Sequence, residues 1–161
     1  MQAKYLHLSL IIALLLSACA APPAPSPTAD AAARDAAAAQ ATLEQFLEQM
    51  RRGDYRGAAA LYGGSYETLR DWNPGIAPND RAALLESGCR VNGLRCLAPA
   101  SITHSSTDPT GVFTFTVTFG EEDGRPFVLA IPDMPKVSEF PFTVVKTRNG
   151  FLVNTLPPYG G

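Results

Sequence analysis

Val112-Phe113-Thr114-Phe115-Thr116-Val117-Thr118-Phe119 is the stretch that decides how this chain folds. Phe113, Phe115, Val117 and Phe119 alternate with Thr114, Thr116 and Thr118, the period of a strand with one apolar face. Burying a phenylalanine is worth about 1.5–3 kcal/mol, whereas a buried hydroxyl must find a partner. The phenylalanine side is therefore expected to meet the rest of the protein, and the threonine side to face solvent or a partner. Upstream, Pro99 to Thr107 reads as a strand. Downstream, Glu121-Glu122-Asp123-Gly124 reads as a hairpin turn and Phe127, Leu129 and Ile131 as an alternating return strand. A loop holds Pro132 and Pro135. Phe140, Phe142 and Val144 open a further strand running to about Thr147. Asn149-Gly150 is a tight turn signal before a final strand, Phe151 to Leu156.

The first half of the chain is different in kind. From Asp30 it is rich in Ala, Gln and Glu, good helix formers. Leu43, Phe46, Leu47 and Met50 recur on one helical face, and Ala36 and Ala39 carry that stripe upstream. Gly53 should end this helix just after Arg51 and Arg52, whose charges suit its C-terminal dipole. Asp54 can cap a helix from Tyr55 to Tyr62, which Gly63-Gly64 stops. Tyr66, Leu69 and Trp72 share one face of a short segment broken by Asn73-Pro74. Asn79 is placed to cap a last helix, Asp80 to Glu86, ending at Gly88. Helices followed by an antiparallel meander predict an α+β domain, with N-terminal helices packed on a curved antiparallel sheet.

The beginning of the chain speaks to location. Lys4 and the apolar run Leu8 to Leu16 read as a secretory leader, too short for a spanning helix of about 20 residues. Leu16-Ser17-Ala18-Cys19 resembles a bacterial lipobox, in which the Cys19 sulfur takes a lipid and becomes the new N-terminus. The expected division is a lipoprotein signal peptide over 1–18, the lipidated cysteine and a Pro-rich tether over 19–29, and one globular domain over 30–161. Pro22, Pro23, Pro25 and Pro27 favour an extended tether reaching roughly 30 Å. Such a protein is expected to be exported and held on a membrane of the cell envelope through its lipid, palmitate included. Ala20 after the cysteine permits outer-membrane delivery where such a membrane exists.

Loss of Lys4 with the leader takes the formal charge from −2 to −3. Acids and bases are mixed without a basic stripe, which argues against nucleic acid as a partner. Of three cysteines, Cys19 belongs to the lipid. Cys89 and Cys96 flank the turn signal Asn92-Gly93 and are expected to pair in an oxidising compartment. A metal site would need further ligands, and His104 is the only histidine left after the leader, so neither metal nor cofactor is expected.

His104 is the one general-base candidate. On strict alternation it shares a face with Ile102 and Ser106. Ser105, Ser106 and Asp108 are close in sequence, but triads assemble in space rather than along a strand. No Gly-x-Ser-x-Gly elbow, Walker loop, GxGxxG or HExxH is present. Asp108, Glu121, Glu122, Asp123 and Asp133 all fall in predicted turns, where solvated acids belong.

Arg52-Gly53-Asp54-Tyr55 followed by Ala59-Ala60-Leu61-Tyr62, after a long amphipathic helix and before a meander, resembles the cone-shaped fold of nuclear transport factor two and its SnoaL-like relatives. The chain looks like bacterial lipoproteins of that superfamily over about Ala29 to Pro157. The resemblance implies a cystatin-like or SnoaL-like cone whose helices close one side of a curled sheet around a pocket. Tyr55, Tyr62, Trp72 and His104 are the residues expected near such a pocket. Because that superfamily holds enzymes and binding domains alike, fold does not settle function. The expectation is a membrane-anchored, non-enzymatic domain that binds a small apolar ligand or a cell-envelope protein. The alternatives are an isomerase- or hydrolase-type enzyme using the pocket, and a structural module that forms a homodimer.

Overall fold

The computed structural model describes residues 27–160. The leader, Cys19 and most of the tether lie outside the described residues. Four helices precede four strands: α1 (Pro27–Arg52), α2 (Tyr55–Leu61), α3 (Glu67–Trp72), α4 (Arg81–Arg90), β1 (Ala98–Thr107), β2 (Val112–Gly120), β3 (Phe140–Thr147) and β4 (Gly150–Val153). The strands form one open antiparallel sheet in sequential order. The chain is thus α+β with a four-stranded antiparallel sheet. Among the described residues no helix is long and apolar enough to cross a membrane.

Helix α1 takes in Pro27 to Ala29, three residues expected in the tether. Pro27 stands at the first helical position, where its missing N–H costs nothing. The stripe Ala39, Leu43, Phe46, Leu47 and Met50 is fully buried against the inner face of the sheet. Gly53 ends α1 with φ +78°, and the Asp54 carboxylate accepts from Gly57 N–H at 3.0 Å to cap α2. At α4 the cap is Asp80 rather than Asn79, its side chain accepting from Ala83 N–H at 3.1 Å. Gly88 does not stop α4, which continues to Arg90. That glycine lets Leu94 close in: a Cβ on it would lie 2.6 Å from Leu94 Cδ1. Cys89 in the last turn of α4 is bonded to Cys96 just before β1, with Cα atoms 5.8 Å apart. This distance is ordinary for a disulfide.

In β2 the expected faces appear. Phe113, Phe115, Val117 and Phe119 are buried in one core with the α1 stripe, and Thr114, Thr116 and Thr118 point away from it. On that outer face the hydroxyls pair: Ser101 with Thr118 at 2.7 Å and Ser105 with Thr116 at 2.8 Å across β1 and β2, and Thr143 of β3 with Thr155, beyond β4, at 3.0 Å.

The return strand predicted over Phe127, Leu129 and Ile131 does not form. The turn is present, closed by Gly124 N–H to Glu121 C=O at 2.9 Å, but only Gly120 and Pro126 pair beyond it, followed by Phe127 N–H to Phe119 C=O at 2.9 Å. Pro126 has no N–H to continue a ladder. The open edge of β2 from Val117 back to Val112 is taken by β3 instead. Phe140, Phe142 and Val144 bring three buried side chains to the core, a larger burial than Phe127 and half-buried Leu129 supply. Residues 125–139 therefore stand out from the sheet as an arm. The final strand is also shorter than expected, β4 ending at Val153. Beyond it Thr143 N–H turns to the Thr155 hydroxyl at 3.0 Å.

Candidate functional site

The four residues expected around a pocket do not converge on one. Tyr62 is buried, its ring stacked 5.7 Å from Phe46 and edge-on to Tyr66 at 5.1 Å. Its hydroxyl donates to Ser65 C=O at 3.1 Å. Gly64 must be glycine here, because a Cβ would collide with the Tyr62 hydroxyl and Asn154 C=O. Tyr55 is half-buried beneath Gly53. Trp72 is 46% exposed, packed edge-on against Tyr159 at 4.8 Å. With Tyr66 and Leu69 inward, α3 ends at Trp72, over which Tyr159 of the C-terminal segment reaches.

His104 lies elsewhere, exposed on the edge strand β1. Its ring sits 5.4 Å from Phe115, and its Nε2 lies 2.9 Å from the Thr107 hydroxyl. Ser106 does not share its face as alternation predicts. The pairing slips between His104 and Ser106, so Ser106 opposes Thr114 while Thr107 opposes Phe113. This bulge moves Ser106 to the outer, hydroxyl-bearing face, where Ser105 already lies. Asp108 is occupied by its own turn, accepting from Thr110 N–H at 2.8 Å and Val112 N–H at 3.0 Å, which holds its carboxyl below the usual range.

Burial pushes the Tyr66 hydroxyl up to about 12 and raises Tyr62 and Tyr159 as well. The Tyr66 and Tyr159 hydroxyls are buried with no partner among the described residues. Among the described residues no charged side chain is buried, and no three His, Cys, Asp or Glu side chains gather as metal ligands.

The residues that stand out were not singled out from the sequence. Val128, Ile131, Met134 and Val137 are exposed together on the arm, Met134 to 60%. The arm is built, not loose: Leu129 and Val137 exchange both backbone hydrogen bonds at 2.8 and 3.0 Å, and Met134 N–H reaches Ile131 C=O at 3.1 Å. Its root is Phe127, buried and stacked 5.7 Å from Phe140, with the Arg95 guanidinium 5.8 Å from its ring centre. Beside that root lies a hollow of about 270 Å³, lined by Ala100, Thr118, Phe119, Gly120, Pro126 and Glu139 among others. A usable signal was in the sequence: apolar residues spaced among Pro132 and Pro135 without strand alternation cannot all turn inward.

The arm and hollow sit at one pole. Asp35, early in α1, pairs with Lys146 near the β3–β4 turn, whereas Arg51 in its last turn lies beside Ala98, Gly120 and Glu121. Helix α1, with 26 residues, is about 39 Å long. The chain thus enters the domain at the pole opposite the arm. Searches against protein-family models, curated proteins and solved structures found no match to this chain.

Proposed function

We propose that this protein is a membrane-anchored, extracytoplasmic, non-enzymatic binding domain whose working end is the pole distal to its anchor. The observation that carries this is the exposed aliphatic arm, closed on itself by backbone hydrogen bonds at the far end of α1 from Pro27. A lipid on Cys19 would hold one pole toward the membrane and leave the other to face outward. Of the two ligand classes expected, a cell-envelope protein is favoured over a small apolar molecule. The hollow beside the arm is small, at about 270 Å³, and a larger one of about 440 Å³ is lined mainly by charged residues, Arg95, Glu121, Glu122, Asp123 and Arg125, which do not suit an apolar molecule. The aliphatic side chains also project outward instead of lining a cavity, as docking surfaces do. Kinship with the cone-shaped, SnoaL-like lipoproteins belongs to the same proposal. It is supported by the order of helices before meander and by one long helix lying across one sheet face.

Native mass spectrometry of the full chain taken from its own host tests this reading. Assemblies made only of protein subunits are expected. A retained small-molecule adduct on a lone domain would overturn it in favour of the apolar-ligand class.

A further inference from the structure

We infer that Met134 is an oxidation switch on the arm: hydrogen peroxide converts its thioether to the sulfoxide, and the apolar tip becomes polar. The site of modification follows from exposure alone. Its consequence for docking rests on the function proposed above.

Three observations single out this residue. Met134 is 60% exposed, whereas Met50 lies in the core at 1%. Thioether oxidation follows access, and a buried methionine is reached only when the fold opens. Among the described residues no other reduced sulfur competes, because Cys89 and Cys96 are already joined. The arm also keeps its shape without the Met134 side chain. Ile131-Pro132-Asp133-Met134 is a turn closed by Met134 N–H to Ile131 C=O at 3.1 Å, with Asp133 at φ +65°, and Leu129 and Val137 join its two sides below. Proline at the second position presets such a turn. The tip can therefore change its chemistry without loosening.

The sulfur attacks one peroxide oxygen. The O–O bond breaks, an S–O bond forms, and the second oxygen leaves as water after taking up the protons. Sulfur loses two electrons and peroxide gains them. A dithiol reverses the step through a methionine sulfoxide reductase, the oxygen leaving as water and the dithiol ending as a disulfide. Val128, Ile131 and Val137, the other exposed side chains of the patch, have no sulfur to respond. A sulfoxide among them is a strong acceptor, which an apolar partner surface would bury without a donor.

The full chain is taken from its own host in mild detergent and treated with dilute hydrogen peroxide. Peptide mapping locates the added oxygen, and native mass spectrometry follows the protein assemblies. Met134 is expected to gain oxygen at least about tenfold faster than Met50, with unchanged thermal melting. The assemblies should fall at least about tenfold, and reductase with dithiothreitol should restore them. Met134→Leu should keep its assemblies under peroxide, and Met134→Gln, a sulfoxide mimic, should lack them without it. Oxidation of Met134 no faster than Met50 overturns the inference. So do assemblies that survive with Met134 oxidised, and assemblies of Met134→Leu that peroxide still disrupts. A lowered melting temperature would overturn it as well, since unfolding would then explain the loss. An untreated chain without protein assemblies would sink the proposed function and the switch together, whereas failure of selective oxidation alone leaves the proposed working end standing.

Discussion

Phe115 and Thr116 are neighbours in the chain and opposites in the sheet. Phe115 is fully buried, between β1, β3 and the α1 stripe, while Thr116 is half-buried and pairs its hydroxyl with Ser105. Phe115→Ala removes a ring from a packed interior and is expected to cost about 3–5 kcal/mol, enough to unfold a domain of ordinary stability. Thr116→Ala is expected to cost under about 1 kcal/mol. Thermal melts of the pair check this; equal shifts would mean that something covers the outer face. Tyr66 gives a second contrast. Its hydroxyl is buried with no partner, so Tyr66→Phe should leave stability unchanged or raise it by up to about 1 kcal/mol in urea unfolding. A clear loss would reveal a hydrogen-bond partner for that hydroxyl. The same burial has a pH consequence. Tyrosines whose folded pKa is raised contribute stability that is whole below the ordinary value near 10 and fades as pH climbs through the folded value, about 12 for Tyr66. Absorbance titration should show Tyr62 and Tyr66 ionising late and together with unfolding.

At the scale of elements, what the sequence disclosed followed from how much each segment gains alone. The α1 stripe and the β2 alternation are long and strongly periodic, and both fold as their spacing demands. Cys89 and Cys96 pair as expected across the Asn92-Gly93 turn, with Gly93 at φ +80°. Closing that short loop should stabilise the domain by about 2.5 kcal/mol through the unfolded chain. The double variant Cys89→Ser/Cys96→Ser should lose that amount in urea unfolding; an unchanged midpoint would mean that the turn alone fixes the loop. Residues 127–131 were illegible because two segments compete for one strand edge, and local alternation cannot say which wins. Phe140, Phe142 and Val144 win it, and the displaced segment becomes the arm. The slip beside His104 was hidden for a related reason: a bulge leaves no mark in an alternation of small polar residues. The candidate site therefore escaped a reading that looked for titratable groups, since its material is aliphatic and its defining property, exposure, is decided by that lost competition.

For the whole molecule, the proposed function gives the two poles separate tasks, and these should be separable by experiment. Among the described residues the core runs from Ala39 in α1 through β2 and β3. Asp35 and Lys146 join helix to sheet at the entry pole, downstream of any tether. A lipid on Cys19 would touch only that tether, so the fold should not depend on it. Acyl chains on Cys19 would have no polybasic patch to help them, with acids and bases mixed along the chain, so anchoring should rest on the lipid alone. Cys19→Ser in the native host is accordingly expected to abolish palmitate incorporation and move the protein from the membrane to the soluble extracytoplasmic fraction. Its thermal melting should be unchanged, and the Cys89–Cys96 bond should still form once the chain is exported. Continued palmitate labelling would show that another residue carries the lipid. Release with a lowered melting temperature would show that the tether packs on the domain, and would cost the entry pole its role as a passive attachment point.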